Sequence, residues 1–339
     1  MLRLEDLKSV QVELTTRCNA RCPMCPRNFR GMEYNSGYPL TELSLKQFQH
    51  IFTPDFLGQL RPIKGLNNGI YFNGNLGDFA LARDAAEILH YCVDHGVHVK
   101  VDTNGSMRSP DWWARLAMPN VTIGFALDGL DDTHALYRQD TDWHRVIRHA
   151  QAFIAAGGRA IWRFVPFDHN RHQESACRQM AQDLGFHGFH NIWDGRDTGM
   201  AFTRTGEFSH YLGAHPASAD HVPEIKPMIG NHVTWYNSQT VKAARDRPEP
   251  NIFCLHKNNQ SIYIAADGSI YPCCWLGFYP KQMNHPGNRE LADLVRENNA
   301  LEYPLAHCLA WFDRVEETWR LSSIAEGRTY QCVVTCGRP

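Results

Sequence analysis

The sequence predicts an α/β fold built on a parallel sheet, followed by a small α+β region rich in cysteine. Three observations predict it. Residues 10–196 alternate six strand-like runs with helix-like runs, and regular strand–helix alternation implies parallel strands joined by helical crossovers. Gly96, Gly157-Gly158 and Gly185 follow three of the helical patterns, as helix C-terminal glycines do. Cys18, Cys22 and Cys25 come directly after the first strand, the position of a catalytic loop at the C-terminal end of a barrel strand. Spacing alone does not separate a partial barrel from an open doubly wound sheet.

The first strand, 10–14, places Val10, Val12 and Leu14 on one face and polar residues on the other. The later strand candidates are 69–73, 98–102, 121–127, 160–166 and 188–193. Helical patterns occupy 44–56, 80–95, 110–117, 143–156 and 173–184. Residues 197–250 carry Pro216, Pro223, Pro227, Pro248 and Pro250 and no strong period. They read as a connecting region with one or two short helices. From 251 to 339, residues 261–273 read as two short strands around an Asp267-Gly268 turn. Such a hairpin buries little by itself, and a metal tying it to the cysteine-rich tail would supply the missing constraint.

Composition narrows the function. The chain has 339 residues and a net charge of −2, so no electrostatic footprint of a nucleic-acid binder is present. The first residues lack the apolar run of a signal peptide, and no stretch of 18 apolar residues exists to span a membrane. A cytoplasmic location is expected. Eleven cysteines without a signal peptide argue for metal ligands or catalysis over disulfides. The 18 histidines show no metal-like pair on one helix face. Cys92 and Cys177 fall within helical patterns and read as core residues.

The spacing C-x3-C-x2-C of Cys18, Cys22 and Cys25 suits three irons of a [4Fe–4S] cluster with the fourth iron open. An open metal position is what a reactive site needs. A zinc site or a disulfide pair is the plainer alternative. The stretch around these cysteines, with Met24 just before the third, resembles the cluster loop of the radical S-adenosylmethionine (SAM) enzymes. The resemblance implies a partial (βα)6 barrel over 1–196. It also implies an open iron that chelates SAM, whose reductive cleavage yields a 5′-deoxyadenosyl radical that takes a hydrogen atom from a substrate.

The second cysteine set, Cys254, Cys273 after Gly268, and the pair Cys332-x3-Cys336, resembles the SPASM/twitch extension of these enzymes over 251–339. The resemblance implies one auxiliary [4Fe–4S] cluster on Cys254, Cys273, Cys332 and Cys336, with Cys274 and Cys308 as rivals. Four thiolates also suit a structural zinc. The same resemblance implies SAM contacts at the strand ends: Asn75, Gly77 and Asp78 after the second strand, Asn104 after the third, Asp128 and Arg138 after the fourth, and Arg163 on the fifth. Gly77 allows close backbone approach. Asn75 or Asp78 would accept from the SAM ammonium, and Arg138 suits its carboxylate. Asp128 serves either a ribose hydroxyl or a helix cap. Ala126 stands where the family often has serine.

The implied reaction is oxidation, dehydrogenation or bond formation on a peptide or small molecule. The electron donor would be a flavodoxin- or ferredoxin-like protein. An alternative is a radical epimerase with Cys274 or Cys308 returning a hydrogen atom. A barrel starting by residue 10 leaves no room for an N-terminal leader-binding or cobalamin domain. The rival class is an iron–sulfur electron carrier or a zinc-stabilised binding module.

Overall fold

The computed structural model describes residues 2–25, 27–28, 31, 39–60, 69–192, 200–212, 251–278, 291 and 294–338. The short helices expected within 197–250 do not appear at 200–212, where two paired strands form instead, and 213–250 lies outside the described residues. Twelve strands occur among the described residues: β1 Ser9–Val12, β2 Gly69–Phe72, β3 Val99–Thr103, β4 Val121–Ala126, β5 Arg159–Phe164, β6 Gly188–Asn191, β7 Met200–Phe202, β8 Phe208–Tyr211, β9 Asn251–Ile252, β10 Ser261–Ile264, β11 Ile270–Tyr271 and β12 Gly337–Arg338.

Eight of them form one sheet in the order β11-β10-β1-β2-β3-β4-β5-β6. β1 through β6 run parallel as sequential neighbours. That order has no reversal point, which a doubly wound sheet requires. Right-handed crossovers then put all the connecting helices on one face. The result is an open, barrel-type α/β sheet, which the strand–helix spacing leaves undecided and the family resemblance implies.

Strand alternation sorts the two faces. Val10, Val12, Ile70, Phe72, Val99, Val101, Ile123, Phe125, Trp162 and Phe164 are buried and join the helix-packed core. The opposite, inner face carries Gln11, Tyr71, Asp102, Gly124 and Arg163. The apolar layer against the helices stabilises the sheet, and the polar row faces the barrel interior.

Two expectations need correction. The pattern 44–56 is two helices, Leu45–Ile51 and Pro54–Gln59. Thr53 caps the second by accepting from the Phe56 N–H, and Pro54 sits in its first turn, where its missing N–H costs nothing. The pattern 80–95 shortens to Ala85–Asp94, preceded by a 3-10 turn at Phe79–Leu81 that Asp78 caps. A further helix, Asp131–Tyr137, is too short for periodicity to reveal. The three glycine stops hold: Gly96, Gly157 and Gly185 all have positive φ, at 77°, 90° and 81°.

The 261–271 hairpin forms as expected, but its constraint is different. β10 pairs in parallel with β1, from Ser9 opposite Ser261 to Val12 opposite Ile264. The hairpin is therefore part of the main sheet, tied by backbone hydrogen bonds rather than by a metal alone. Helices Leu305–Cys308, Phe312–Thr318 and Tyr330–Cys336 close over it. Trp311 meets the Tyr271 ring edge-on at 6.0 Å, and Trp311, Phe312 and Val315 extend the barrel core.

Candidate functional site

The C-terminal ends of β1–β5 open onto a cavity with about 1110 Å3 of empty space. Cys18, Cys22 and Cys25 line it, together with Asn75, Gly77, Asp78, Asn104, Arg138 and Arg163. Every SAM-contact candidate except Asp128 thus meets the three cysteines at one site.

The cysteine loop is held on two sides. The Arg21 guanidinium donates to both Asp140 oxygens, at 2.5 and 3.2 Å, and its backbone N–H to the Gln139 carbonyl. On the other side, Arg27 Nη1 donates to the Thr16 carbonyl at 3.0 Å. Ala20, Cys22, Tyr137, Val165, Phe167 and Leu212 form an apolar shell around the loop. Burial pushes the Cys18 thiol well up, with the charges of Asp78, Cys22 and Cys25 adding to it.

Several predicted contacts take other partners. Asp78 accepts from the Asn104 N–H at 2.7 Å, the Ala80 N–H at 3.0 Å and the Thr103 hydroxyl at 2.9 and 3.1 Å. Both its oxygens are thus engaged in fixing the end of β3. Burial raises its pKa, and these donors oppose the rise. Asn75 turns its amide away, donating to the Cys274 carbonyl at 2.8 Å. Asp128 is fully buried and caps no helix: the following helix, Asp131–Tyr137, has Leu130 at its N-cap and no side-chain cap. Its carboxylate instead accepts from Arg138 Nε at 2.5 Å and the Val165 N–H at 2.6 Å. Asp128 therefore positions Arg138, whose Nη1 reaches the Cys22 sulfur at 3.8 Å. Arg163 lies 2.8 Å from Asp102, which also accepts from the Tyr71 hydroxyl. A Cβ at Gly124 would stand 2.5 Å from the Asp102 carboxylate and 2.8 Å from Arg163, so glycine there makes room for the pair.

Sequence reasoning missed Glu13. This buried carboxylate accepts from the Leu76 and Gly77 N–H groups at 2.6 and 3.0 Å and from the Tyr263 hydroxyl at 2.9 Å. It joins β1, the glycine loop and β10. The signal was a charged residue just beyond an alternating apolar strand. Gly77 is required by packing against the cysteine-loop backbone: a Cβ would sit 1.7 Å from the Thr15 carbonyl oxygen.

A second pocket, with about 1000 Å3 of empty space, gathers Cys254, Cys273, Cys332 and Cys336. The Lys257 and Leu276 N–H groups donate to the Cys254 and Cys273 sulfurs at 3.4 and 3.5 Å. Trp319 lines the same pocket, and its indole N–H, directed at the Cys332 sulfur, opposes the rise that burial imposes on that thiol. Burial pushes the Cys273 and Cys332 thiols up. Among the described residues, no group of three or more His, Cys, Asp or Glu side chains is drawn together closely enough to hold a metal ion, at this pocket or at the first cysteine loop.

The two rivals part ways. Cys308 is fully buried, donates to the Tyr303 carbonyl at 3.7 Å and lines neither pocket. Burial raises it to about 11. Cys274 lies beside Gln11, which holds its sulfur down against a burial that raises it to about 11. Cys92 and Cys177 are core residues, as expected. Among the described residues, which include all eleven cysteines, no disulfide forms, and no helix is long and apolar enough to cross a membrane.

No protein-family model matches the sequence, and no curated protein matches it. Solved structures do match by shape. Streptococcus suis SuiB bound to S-adenosylmethionine has a TM-score of 0.54 at 12% identity, over 90% of this chain and 65% of SuiB. SuiB bound to its precursor peptide SuiA gives 0.53 at 14% identity, over 91% and 65%. Native anSMEcpe with bound AdoMet gives 0.51 at 15% identity, over 94% and 88%. This chain shares the fold of SuiB and anSMEcpe. It spans 65% of the length of SuiB.

Proposed function

We propose that this chain is a radical SAM enzyme. The observation that carries the reading is one cavity shared by Cys18, Cys22, Cys25, Arg138 and Asn104 at the open end of the sheet. The three-cysteine loop would suit a [4Fe–4S] cluster, because three thiolates bind three irons and leave one open. Arg138 would hold the SAM carboxylate with the guanidinium edge that Asp128 leaves over. The main chain around Gly77 and the Asn104 amide would meet the rest of SAM. When bound, the cluster and SAM together supply an electron and an organic radical that abstracts a hydrogen atom from substrate. The apolar shell of Tyr137, Val165 and Phe167 keeps water from that position.

The second pocket would hold an auxiliary [4Fe–4S] cluster on Cys254, Cys273, Cys332 and Cys336. Four thiols around one pocket, with backbone N–H groups on two sulfurs, are the ligand set such a cluster needs; a structural zinc on the same four thiols is the alternative that the metal content decides. This assigns residues 251–339 a twitch-type role and 1–196 the partial barrel. An auxiliary cluster suits oxidation, dehydrogenation or bond formation, because it accepts an electron. A peptide substrate is supported by SuiB, which binds its precursor peptide SuiA; a small molecule is the other class. A flavodoxin- or ferredoxin-like protein of the cytoplasm would supply the electron. Epimerisation remains a second reading on one observation: Cys274 sits beside inner-face Gln11 and Tyr71.

The test is anaerobic reconstitution with iron and sulfide, then dithionite and SAM. About eight irons per chain with 5′-deoxyadenosine formed supports both clusters. About four irons and one zinc with deoxyadenosine keeps the enzyme and makes the tail structural. No deoxyadenosine at full iron content refutes the enzyme and favours an electron carrier or binding module.

A further inference from the structure

Two side chains aim N–H groups at the sulfurs of the first cysteine loop. Arg138 Nη1 is 3.8 Å from the Cys22 sulfur, and Asn104 Nδ2 is 3.6 Å from that of Cys18. Neither is a chance approach, because each donor is locked from several directions. Arg138 is pinned at Nε by buried Asp128. Its backbone N–H donates to the His134 carbonyl at 2.8 Å, and its guanidinium lies 5.1 Å from the Tyr137 ring centre. Asn104 gives its backbone N–H to Asp78 at 2.7 Å, accepts at Oδ1 from the Ser106 N–H at 2.9 Å, and shares Nδ2 with Asn19 at 3.0 Å. Donors held this way need no reorganisation when a thiolate gains charge.

We infer that Arg138 and Asn104 set the reduction potential of the cluster carried by Cys18, Cys22 and Cys25, through N–H donation to the Cys22 and Cys18 sulfurs. The inference rests on the reading of that loop as a cluster site. One-electron reduction adds a negative charge that spreads onto the thiolate sulfurs. N–H donors stabilise the reduced state more than the oxidised one and so raise the potential. Asp128 offsets the net charge of Arg138, so the directed N–H carries the effect rather than a bare cation. Arg138 is in this role a positioning residue of the cluster, distinct from any contact it makes with SAM.

The experiment is an EPR-monitored redox titration of the full chain, reconstituted anaerobically with iron and sulfide and kept free of SAM. A variant with Cys18, Cys22 and Cys25 all changed to alanine defines the signal of the second site. Arg138→Gln and Asn104→Ala are expected to lower the first cluster's midpoint at unchanged iron content, with Arg138→Lys in between. A role confined to the SAM carboxylate leaves the SAM-free midpoint of the Arg138 variants unmoved. Unmoved or raised midpoints in both Arg138→Gln and Asn104→Ala overturn the inference while the cluster reading stands. If Arg138→Gln fails to hold iron, Arg138→Lys and Asn104→Ala decide by the same criterion. A wild-type chain that holds no iron on these three cysteines overturns the cluster reading itself.

Discussion

Replacing Glu13 with alanine should loosen the molecule at three points at once. The change strands the Leu76 and Gly77 N–H groups and the Tyr263 hydroxyl, which the carboxylate now accepts at 2.6, 3.0 and 2.9 Å. A buried donor left without an acceptor costs about 1–3 kcal/mol. With one donor recovering a water in the vacated space, the two left stranded cost about 2–6 kcal/mol together. At about 2 °C per kcal/mol for a chain of this size, the melting point falls by roughly 4–12 °C. Glu13→Gln keeps an oxygen for Leu76 and Gly77, and the Tyr263 hydroxyl can rotate to accept from the new amide. It should cost under about 2 kcal/mol. Urea unfolding of both variants, followed by circular dichroism, measures the difference. Glu13→Ala within about 1 kcal/mol of wild type would refute the claim that this carboxylate joins β1, the glycine loop and β10.

Acid should weaken the fold through His134. Burial pushes this imidazole down to about 4 from its ordinary 6.5, while its Nδ1 accepts from the Asp128 N–H at 3.2 Å. The unfolded chain binds the proton first. Stability is therefore complete above about 6.5 and drops as pH falls towards 4, by up to about 1.4 kcal/mol per pH unit. His134→Gln should flatten that slope in pH-dependent urea melts, and an unchanged slope would sink the assignment. The tail cysteines should divide by iron content. Alanine at Cys254, Cys273, Cys332 or Cys336 should remove up to about four irons per chain, whereas Cys308→Ala should remove none and act only through lost packing. Iron loss on Cys308→Ala would put that thiol among the ligands.

The legible parts of this chain are those in which one residue type has one use. Alternating valines and phenylalanines marked the strands, positive-φ glycines marked the helix ends, and three cysteines after β1 marked the cavity. The tail tetrad was legible for the same reason: its four thiols line one pocket. The polar strand ends were harder. Asp78, Asn75 and Asp128 were chosen for a ligand, yet their oxygens and amides bind neighbouring loops. An aspartate after a strand looks the same in sequence whether it meets a cofactor or holds a loop that does. Glu13 stood out as a charge at the end of an apolar strand, but its role was hidden because its partners are about 60 and 250 residues away. The parallel pairing of β10 with β1 was hidden too, since no local pattern encodes which distant strand fills an edge.

That pairing has a consequence for the order in which the molecule is made. β1 sits in the interior of the sheet, but the strand on its outer side lies roughly 250 residues further along the chain. At about 5–20 residues per second of synthesis, β1 waits on the order of 10–50 s for its second neighbour. During that time it is a valine-bearing edge with open N–H and C=O groups, the kind of edge that recruits other chains. Of the strands in this sheet, the first synthesised is among the last to be enclosed. Nascent-chain aggregation should therefore be governed by the arrival of residues 261–271 more than by anything in the barrel itself.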